Sequence, residues 1–375
     1  MQVQKVVSSG TRLESWTVLG DDDVPVDPIE RYLAHLSAVE RSPNTVKAYA
    51  HDLKDYFVFL SGRGLDWREV RLEDVGEFVA WLRLPPAGRA GMVAVLPSVA
   101  AAVGAATINR KLSAVSAFYQ HHARHGVDLG DLLVAWKPGG RGSFKPFLHH
   151  ISKGGLQPRR AISLKTPVKL PGVLTVGEVQ SILDACVRRR DRLLFALLHE
   201  TGMRVGEALG LRHGDIDAAQ REVAVVVRDN ANRARTKSGR GRTIPVGAPI
   251  LRLYADYLND EYGDLDSDYV FVNLFAAPLG QAMSYPAVYD LVLRLRHRTG
   301  IDFDPHWFRH TAATRMLRDR VPVEVVSMLL GHASVTTTLD VYGNSRELHQ
   351  VGEKSLVARS GRRLRGLSRA YGVAA

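Results

Sequence analysis

The chain has 375 residues, one cysteine (Cys186) and a formal net charge of +11. The length points to two domains, and the lone cysteine excludes an internal disulfide or a cysteine zinc cluster and fits a reducing cytoplasm. No segment reaches the roughly 18 uninterrupted apolar residues of a membrane span, and the basic excess suggests a polyanionic partner, nucleic acid before membrane.

Residues 1–24 lack clear periodicity and end in Asp21-Asp22-Asp23, which reads as a loose N-terminal arm. The start MQVQKVVSSGTRLESW has no apolar core of the signal-peptide kind, so none is expected. Residues 25–130 read as a small all-α domain. Ser42 can cap a helix whose first position suits Pro43, and Val46, Tyr49, Leu53, Tyr56 and Phe57 follow at helical spacing. EDVGEFVAWLRL and ATINRKLSAVSAFYQHH read as further helices, the latter with Ile108, Leu112, Val115 and Phe118 on one stripe. Residues 131–172, rich in Gly, Pro and basic side chains, read as a linker suited to phosphates, with Phe144, Phe147 and Leu148 suggesting that part of it docks.

Residues 173–350 read as a mostly helical domain with one small antiparallel sheet. Thr175 and Glu178 form a capping box ahead of a helical run through Leu198. Gly202 breaks the pattern, and Arg204 starts another helix. REVAVVVRD alternates as a strand with TIPV as its partner, joined by the basic turn NANRARTKSGRG. AVYDLVLRLRHRTG, HWFRHTAATRMLRDR and VPVEVVSMLLG read as helices. Residues 351–375 form a basic tail with Arg359, Arg362, Arg363 and Arg365, expected to be disordered.

Four stretches carry candidate chemistry: TGMRVGEALGL, TKSGRGRTIPV, HWFRH and GHASVTTTLDVYGN. Arg204 at a helix start could grip a phosphate, or be one more surface arginine. Glu207, one turn on, could orient it. His306 and Arg309 share one helical face; His310 suits an inward, core position. Lys237 in the basic turn could reach over a scissile phosphate as general acid, or sit in a solvated loop. Tyr342, ten residues after His332, reads on its own as a core aromatic, because a phenol with a pKa of about 10 is a poor nucleophile. Neighbouring arginines and a histidine would change that. His121 and His125 are four apart, a possible metal pair without a third ligand. No GxxxxGK[ST] loop exists, so no ATPase is read.

Arg204, Lys237, His306, Arg309, His332 and Tyr342 resemble, in order and spacing, the catalytic set of the tyrosine recombinase (phage integrase) family. The helical segment with SPNTVKAYAHDL is similar to that family's core DNA-binding domain. The resemblance implies a mainly α protein: a helical N-terminal core DNA-binding domain plus a mixed α/β, mostly α, catalytic domain. It implies a site-specific recombinase that cuts and rejoins double-stranded DNA through a 3′-phosphotyrosyl link on Tyr342. Arg204 and Arg309 would hold the phosphate, Lys237 would protonate the leaving 5′-oxygen, His306 would serve the tyrosine and His332 the phosphate. Neither metal nor other cofactor is implied, since the covalent link conserves the phosphodiester energy. The long linker looks more like the transposon-borne branch. Expected partners are DNA, a homo-tetramer on two duplexes and accessory DNA-bending proteins, with no membrane, in a bacterial cytoplasm beside the nucleoid. Arg110, Lys111, Arg233, Arg235, Arg240 and Arg242 are the expected DNA contacts. The alternatives are a type IB topoisomerase and an accessory DNA-binding protein that does not cut.

Overall fold

The chain packs as two units, Met1–Val168 and Lys169–Ala375, in a computed structural model that describes residues 1–7, 14–89, 101–127, 129, 133–138, 156–166, 172–236, 239–332 and 334–342. The first unit's helices are α1 (Asp27–Ala38), α2 (Pro43–Arg63), α3 (Leu72–Arg83) and α4 (Ala105–Ala123). Ser42 Oγ accepts from the Thr45 amide at the start of α2, and Gly64 ends it at φ 64°, a left-handed conformation that glycine adopts without a Cβ clash. The stripes fall as spaced: Val46, Leu53 and Tyr56 of α2 and Ile108, Leu112, Val115 and Phe118 of α4 are buried together. Burying each large apolar side chain contributes about 1.5–3 kcal/mol. Tyr119 Oη donates to the Trp67 carbonyl at 2.8 Å and lies 2.8 Å from Tyr56 Oη, so both core phenols are satisfied.

The N-terminal stretch is not a loose arm. β1 (Gln2–Val7) and β2 (Glu14–Leu19) pair antiparallel with Gln2 opposite Leu19. Val18 is fully buried in the helical core, and Thr17 Oγ1 donates to Glu30 of α1. Six residues with weak alternation give no signal alone; their register is set by the helices they cover. Within the stretch read as a linker, β3 (Val134–Pro138) and β4 (Leu156–Arg160) also pair antiparallel. Asn109 of α4 then fastens the following chain, its Nδ2 donating to the Leu164 carbonyl and its Oδ1 accepting from the Leu164 amide, at 2.8 and 2.9 Å. Phe144, Phe147, Leu148 and the tail 351–375 lie outside the described residues.

In the second unit Thr175 and Glu178 cap each other as read, opening α5 (Val176–Asp184). The run expected to continue to Leu198 is broken in two. α6 (Arg189–Thr201) starts afresh, and the Glu261 carboxylate accepts from the Arg189 and Arg190 amides at 2.8 and 3.0 Å. That carboxylate, far along the chain, satisfies the donors a new helix start exposes. α6 is the spine of the unit, with Leu193, Leu194, Phe195, Leu197 and Leu198 all buried. Phe195 packs with Phe303 and Phe308 at ring distances of 6.0 and 5.3 Å.

Then come α7 (Val205–Leu209), a sheet of β5 (Ile216–Asp217), β6 (Glu222–Val225) and β7 (Arg242–Pro245) in that order, and α8 (Ala248–Tyr257). β6 and β7 are antiparallel, Val223 opposite Ile244. α9 (Tyr285–Thr299), α10 (Pro305–Arg318), α11 (Val323–Leu330) and α12 (Val335–Tyr342) follow. The chain reaches α5 across α10: a side chain on Gly172 would collide with the Trp307 indole, and the Leu174 amide donates to Thr311 Oγ1 at 2.9 Å.

Candidate active site

Arg204 stands where α6 ends and α7 begins. Gly202 takes φ 65°, and a Cβ there would lie 2.7 Å from Leu330 Cδ2, so the turn needs glycine twice over. Arg204 is the N-cap of α7, and its amide and Nη1 both donate to the Glu207 carboxylate, at 2.9 and 3.0 Å. Its side chain remains 23% exposed, so the guanidinium can meet a ligand from solvent. Glu207 is fully buried and bonded from its other side by Arg242, Nη2 to Oε2 at 2.6 Å and Nη1 to Oε1 at 3.2 Å. Burial alone would raise the Glu207 pKa, but Arg242 and Arg204 together bring it below the ordinary glutamate value.

Arg242 thus corrects an expectation. It was read as a DNA contact in the basic turn; it is the first residue of β7 with a side chain 7% exposed. Its Nε also donates to the Leu329 carbonyl at 2.6 Å, tying β7 to the end of α11. Gly331 makes room for it: φ is 66°, and a Cβ would lie 2.8 Å from Arg242 Nη1.

Arg309 is buried, and its two terminal nitrogens donate to the carbonyls of Gly202 and Leu330 at 2.8 and 2.7 Å. Those acceptors lie two residues before Arg204 and two before His332, so one guanidinium draws three segments to one place. His332 Nδ1 lies 2.7 Å from Thr338 Oγ1, and its amide donates to the Ser327 carbonyl. Burial, followed by the charges of Arg309, Arg204, Arg242 and His306, lowers the His332 pKa to about 4. The imidazole is therefore neutral at pH 7 and within the field of all four.

His306 is exposed in the first turn of α10, its amide donating to the Asp304 cap at 2.8 Å. His310 is half-buried with its ring 4.6 Å from that of His306, and burial, then His306 and Arg309, lowers its pKa to about 4. Tyr342 is the last residue of α12, four positions after Thr338; its side chain lies outside what the structure describes. Lys237 lies outside the described residues as well. The base of its loop is firmly held: Asn232 Nδ2 donates to the Leu209 and Met283 carbonyls at 2.9 and 2.8 Å, and Gly206 of α7 packs under the Arg235 carbonyl.

The expected DNA contacts divide. Arg233, Arg235 and Arg240 are exposed around that loop. Lys111 is not available: it is buried in α4 with Nζ 3.1 Å from Asp52 and 2.7 Å from Asp55. Arg110 pairs with Asp52 while remaining 48% exposed. The spacing of charges along α4 could not reveal this, because both partners come from α2. The His121 and His125 rings lie 4.9 Å apart and tilted at 52°, and among the described residues no set of three His, Cys, Asp or Glu is arranged to hold a metal. Sequence reading missed Arg242 as a brace and Thr338 as a partner of His332; the glycine after VEVVSMLL was the one signal of the close approach at Gly331.

Residues 172–349 match the phage integrase family and residues 29–126 its N-terminal SAM-like domain. Transposase A from transposon Tn554 of Staphylococcus aureus is 36% identical over 344 residues, 91% of this chain and 94% of that protein. Tyrosine recombinase XerD of Mycobacterium tuberculosis is 32% identical over 330 residues, 83% of this chain and 90% of that protein. Among solved structures, the Tn1549 transposon integrase in complex with a circular intermediate DNA superposes with a TM-score of 0.61 at 16% identity, covering 88% of this chain and 99% of that one. A lambda integrase dimer bound to a core site superposes at 0.56 and 16% identity, covering 85% and 96%. The mainly helical fold with small antiparallel sheets is the fold of these integrases. The chain belongs to the phage integrase family of tyrosine recombinases and is a site-specific recombinase of the transposon-borne type.

Proposed function

We propose that the protein cuts and rejoins double-stranded DNA at the ends of a mobile element, with Tyr342 as nucleophile. The observation that carries this reading is the convergence of Arg204, Arg309 and neutral His332 around the Glu207–Arg242 pair. The Tyr342 phenolic oxygen bonds to a backbone phosphorus as the bond to the 5′-oxygen breaks, leaving a 3′-phosphotyrosyl link. Lys237 gives a proton to the departing 5′-oxygen, and His306 takes the proton of the phenol. Arg204 and Arg309 carry the charge of the non-bridging oxygens, and His332 donates a hydrogen bond to one of them. Attack by a 5′-hydroxyl from a second duplex reverses the step. The chemistry is complete in side chains, with no metal or nucleotide assigned a part.

Two strand exchanges on two duplexes require four such sites, which favours a homo-tetramer. Accessory DNA-bending proteins would bring the duplexes together, and the reaction would take place in the bacterial cytoplasm beside the nucleoid. Arg233, Arg235 and Arg240 track the phosphates around the Lys237 loop, with Arg110 as a contact on the helical unit. The test is incubation with a nicked cognate site followed by a denaturing gel. A covalent protein–DNA adduct is expected, and Tyr342→Phe should abolish it while DNA binding persists. An adduct that survives in Tyr342→Phe removes Tyr342 as the nucleophile. Binding without any adduct in the unaltered protein leaves an accessory DNA-binding protein, and relaxation of supercoils without joining of sites indicates a type IB topoisomerase.

A further inference from the structure

The threonine run 336–338 has no part in the chemistry above, yet its three members sit in different surroundings. Thr336 is at the start of α12, its amide donating to Ser334 Oγ at 3.2 Å in solvent, and Thr337 is exposed. Thr338 has no solvent exposure, and its hydroxyl is 2.7 Å from His332 Nδ1. It lies one helical turn before Tyr342 on the same short helix.

We propose that Thr338 is a positioning residue: its hydroxyl donates to His332 Nδ1, keeps the imidazole proton on Nε2, and holds α12 in register with the end of α11. The inference rests on the role given to His332 in the proposed reaction. A neutral imidazole has one N–H, and the other nitrogen can only accept. A phosphate oxygen accepts, so the nitrogen that meets it must carry the proton. Nδ1 is then bare and needs a donor, and an uncharged hydroxyl supplies one without adding to the charges of Arg309, Arg204 and Arg242. The backbone bond from the His332 amide to the Ser327 carbonyl fixes the other end of the clip. Through one side-chain bond, the group that serves the phosphate is joined to the helix that carries the nucleophile.

The test uses the full chain with Thr338→Val, which keeps the shape and loses the O–H, and Thr338→Ser, which keeps the O–H. With the nicked site, Thr338→Val should form adduct about 10- to 100-fold more slowly, the loss of one buried hydrogen bond, with DNA affinity unchanged. Thr338→Ser should restore the rate to within about threefold of the unaltered protein. Nitrogen-15 NMR of histidine-labelled protein, with His332 assigned by its loss in His332→Gln, should show the Nε2–H form in the unaltered protein. A population of Nδ1–H should appear in Thr338→Val. A Thr338→Val that cleaves at full rate overturns the inference and leaves the proposed reaction standing, whereas an Nδ1–H form in the unaltered protein overturns it together with the hydrogen bond assigned from His332 to the phosphate. If the unaltered protein forms no adduct, the proposed reaction falls, and the tautomer measurement still decides what Thr338 does.

Discussion

Asp52 in one unit and Glu207 in the other are each buried between two cations, and the two carboxylates behave in opposite ways. Asp52 in the helical unit and Glu207 in the catalytic unit both have fully buried side chains. Burial raises the Asp52 pKa, and Lys111 and Arg110 only partly offset it. Burial pushes Glu207 the same way, but Arg242 and Arg204 more than offset it, and the pKa falls. The difference lies in the partners. Lys111 is nearly as buried as Arg242 but shares its charge between Asp52 and Asp55, and Arg110 is 48% exposed, so water screens much of its charge; Arg242 places both terminal nitrogens on Glu207. Glu207 also accepts the Arg204 amide, a donor that cannot swing away. A buried carboxylate stays firmly ionised when its cations and a backbone donor are committed to it; when its buried cation is shared with a second carboxylate it is a marginal structural pair.

The largest test of this contrast is Glu207→Gln. It leaves Arg242 buried without a counter-charge and should cost about 3–5 kcal/mol. A marked fall in the melting temperature is expected, together with loss of cleavage as Arg204 loses its brace. A melting temperature unchanged from that of the unaltered protein would break the comparison. Asp52→Asn keeps the shape and should cost about 1 kcal/mol or less, measured by the same melts; a loss as large as that of Glu207→Gln would erase the distinction.

Acidity sharpens the contrast, because the signs are opposed. Glu207, lowered in the folded chain, stabilises fully above the unfolded glutamate value of about 4.3 and ceases to as pH falls through its folded value. Asp52, raised in the folded chain, stabilises fully below the unfolded aspartate value of about 3.9, and that contribution is lost as pH rises through its folded value. Denaturant titrations at a series of pH values should therefore show the penalty of Glu207→Gln growing with pH and that of Asp52→Asn shrinking. Parallel trends would refute the assignment. Arg110→Ala should have the smallest effect, about 0.2–1 kcal/mol, with the shortfall larger at low salt.

What could be read from the sequence was local. The caps at Ser42 and at Thr175 with Glu178, the stripes of α2 and α4, and the β6–β7 pair are each specified within a few neighbouring residues. The catalytic candidates could be named because four short stretches stand in family order, although none was decisive alone. The rest depended on distant partners. Arg242 looked like one more arginine of a basic turn, and its partners lie 35 and 87 residues away. Lys111 looked exposed beside Arg110 until α2 supplied Asp52 and Asp55. The break between α5 and α6 is stabilised by Glu261, more than 70 residues on, and the strands β1 and β2 have no apolar pattern strong enough to stand apart from the helices beneath them.

Gly172 on the Trp307 ring has a mechanical consequence. Trp307 is flanked by His306 and stands two residues before Arg309, and Thr311, which receives the Leu174 amide, lies on the same helix. Residues 172–174 are thus anchored on α10 itself. A side chain placed at Gly172 would therefore press directly on the helix that carries His306 and Arg309.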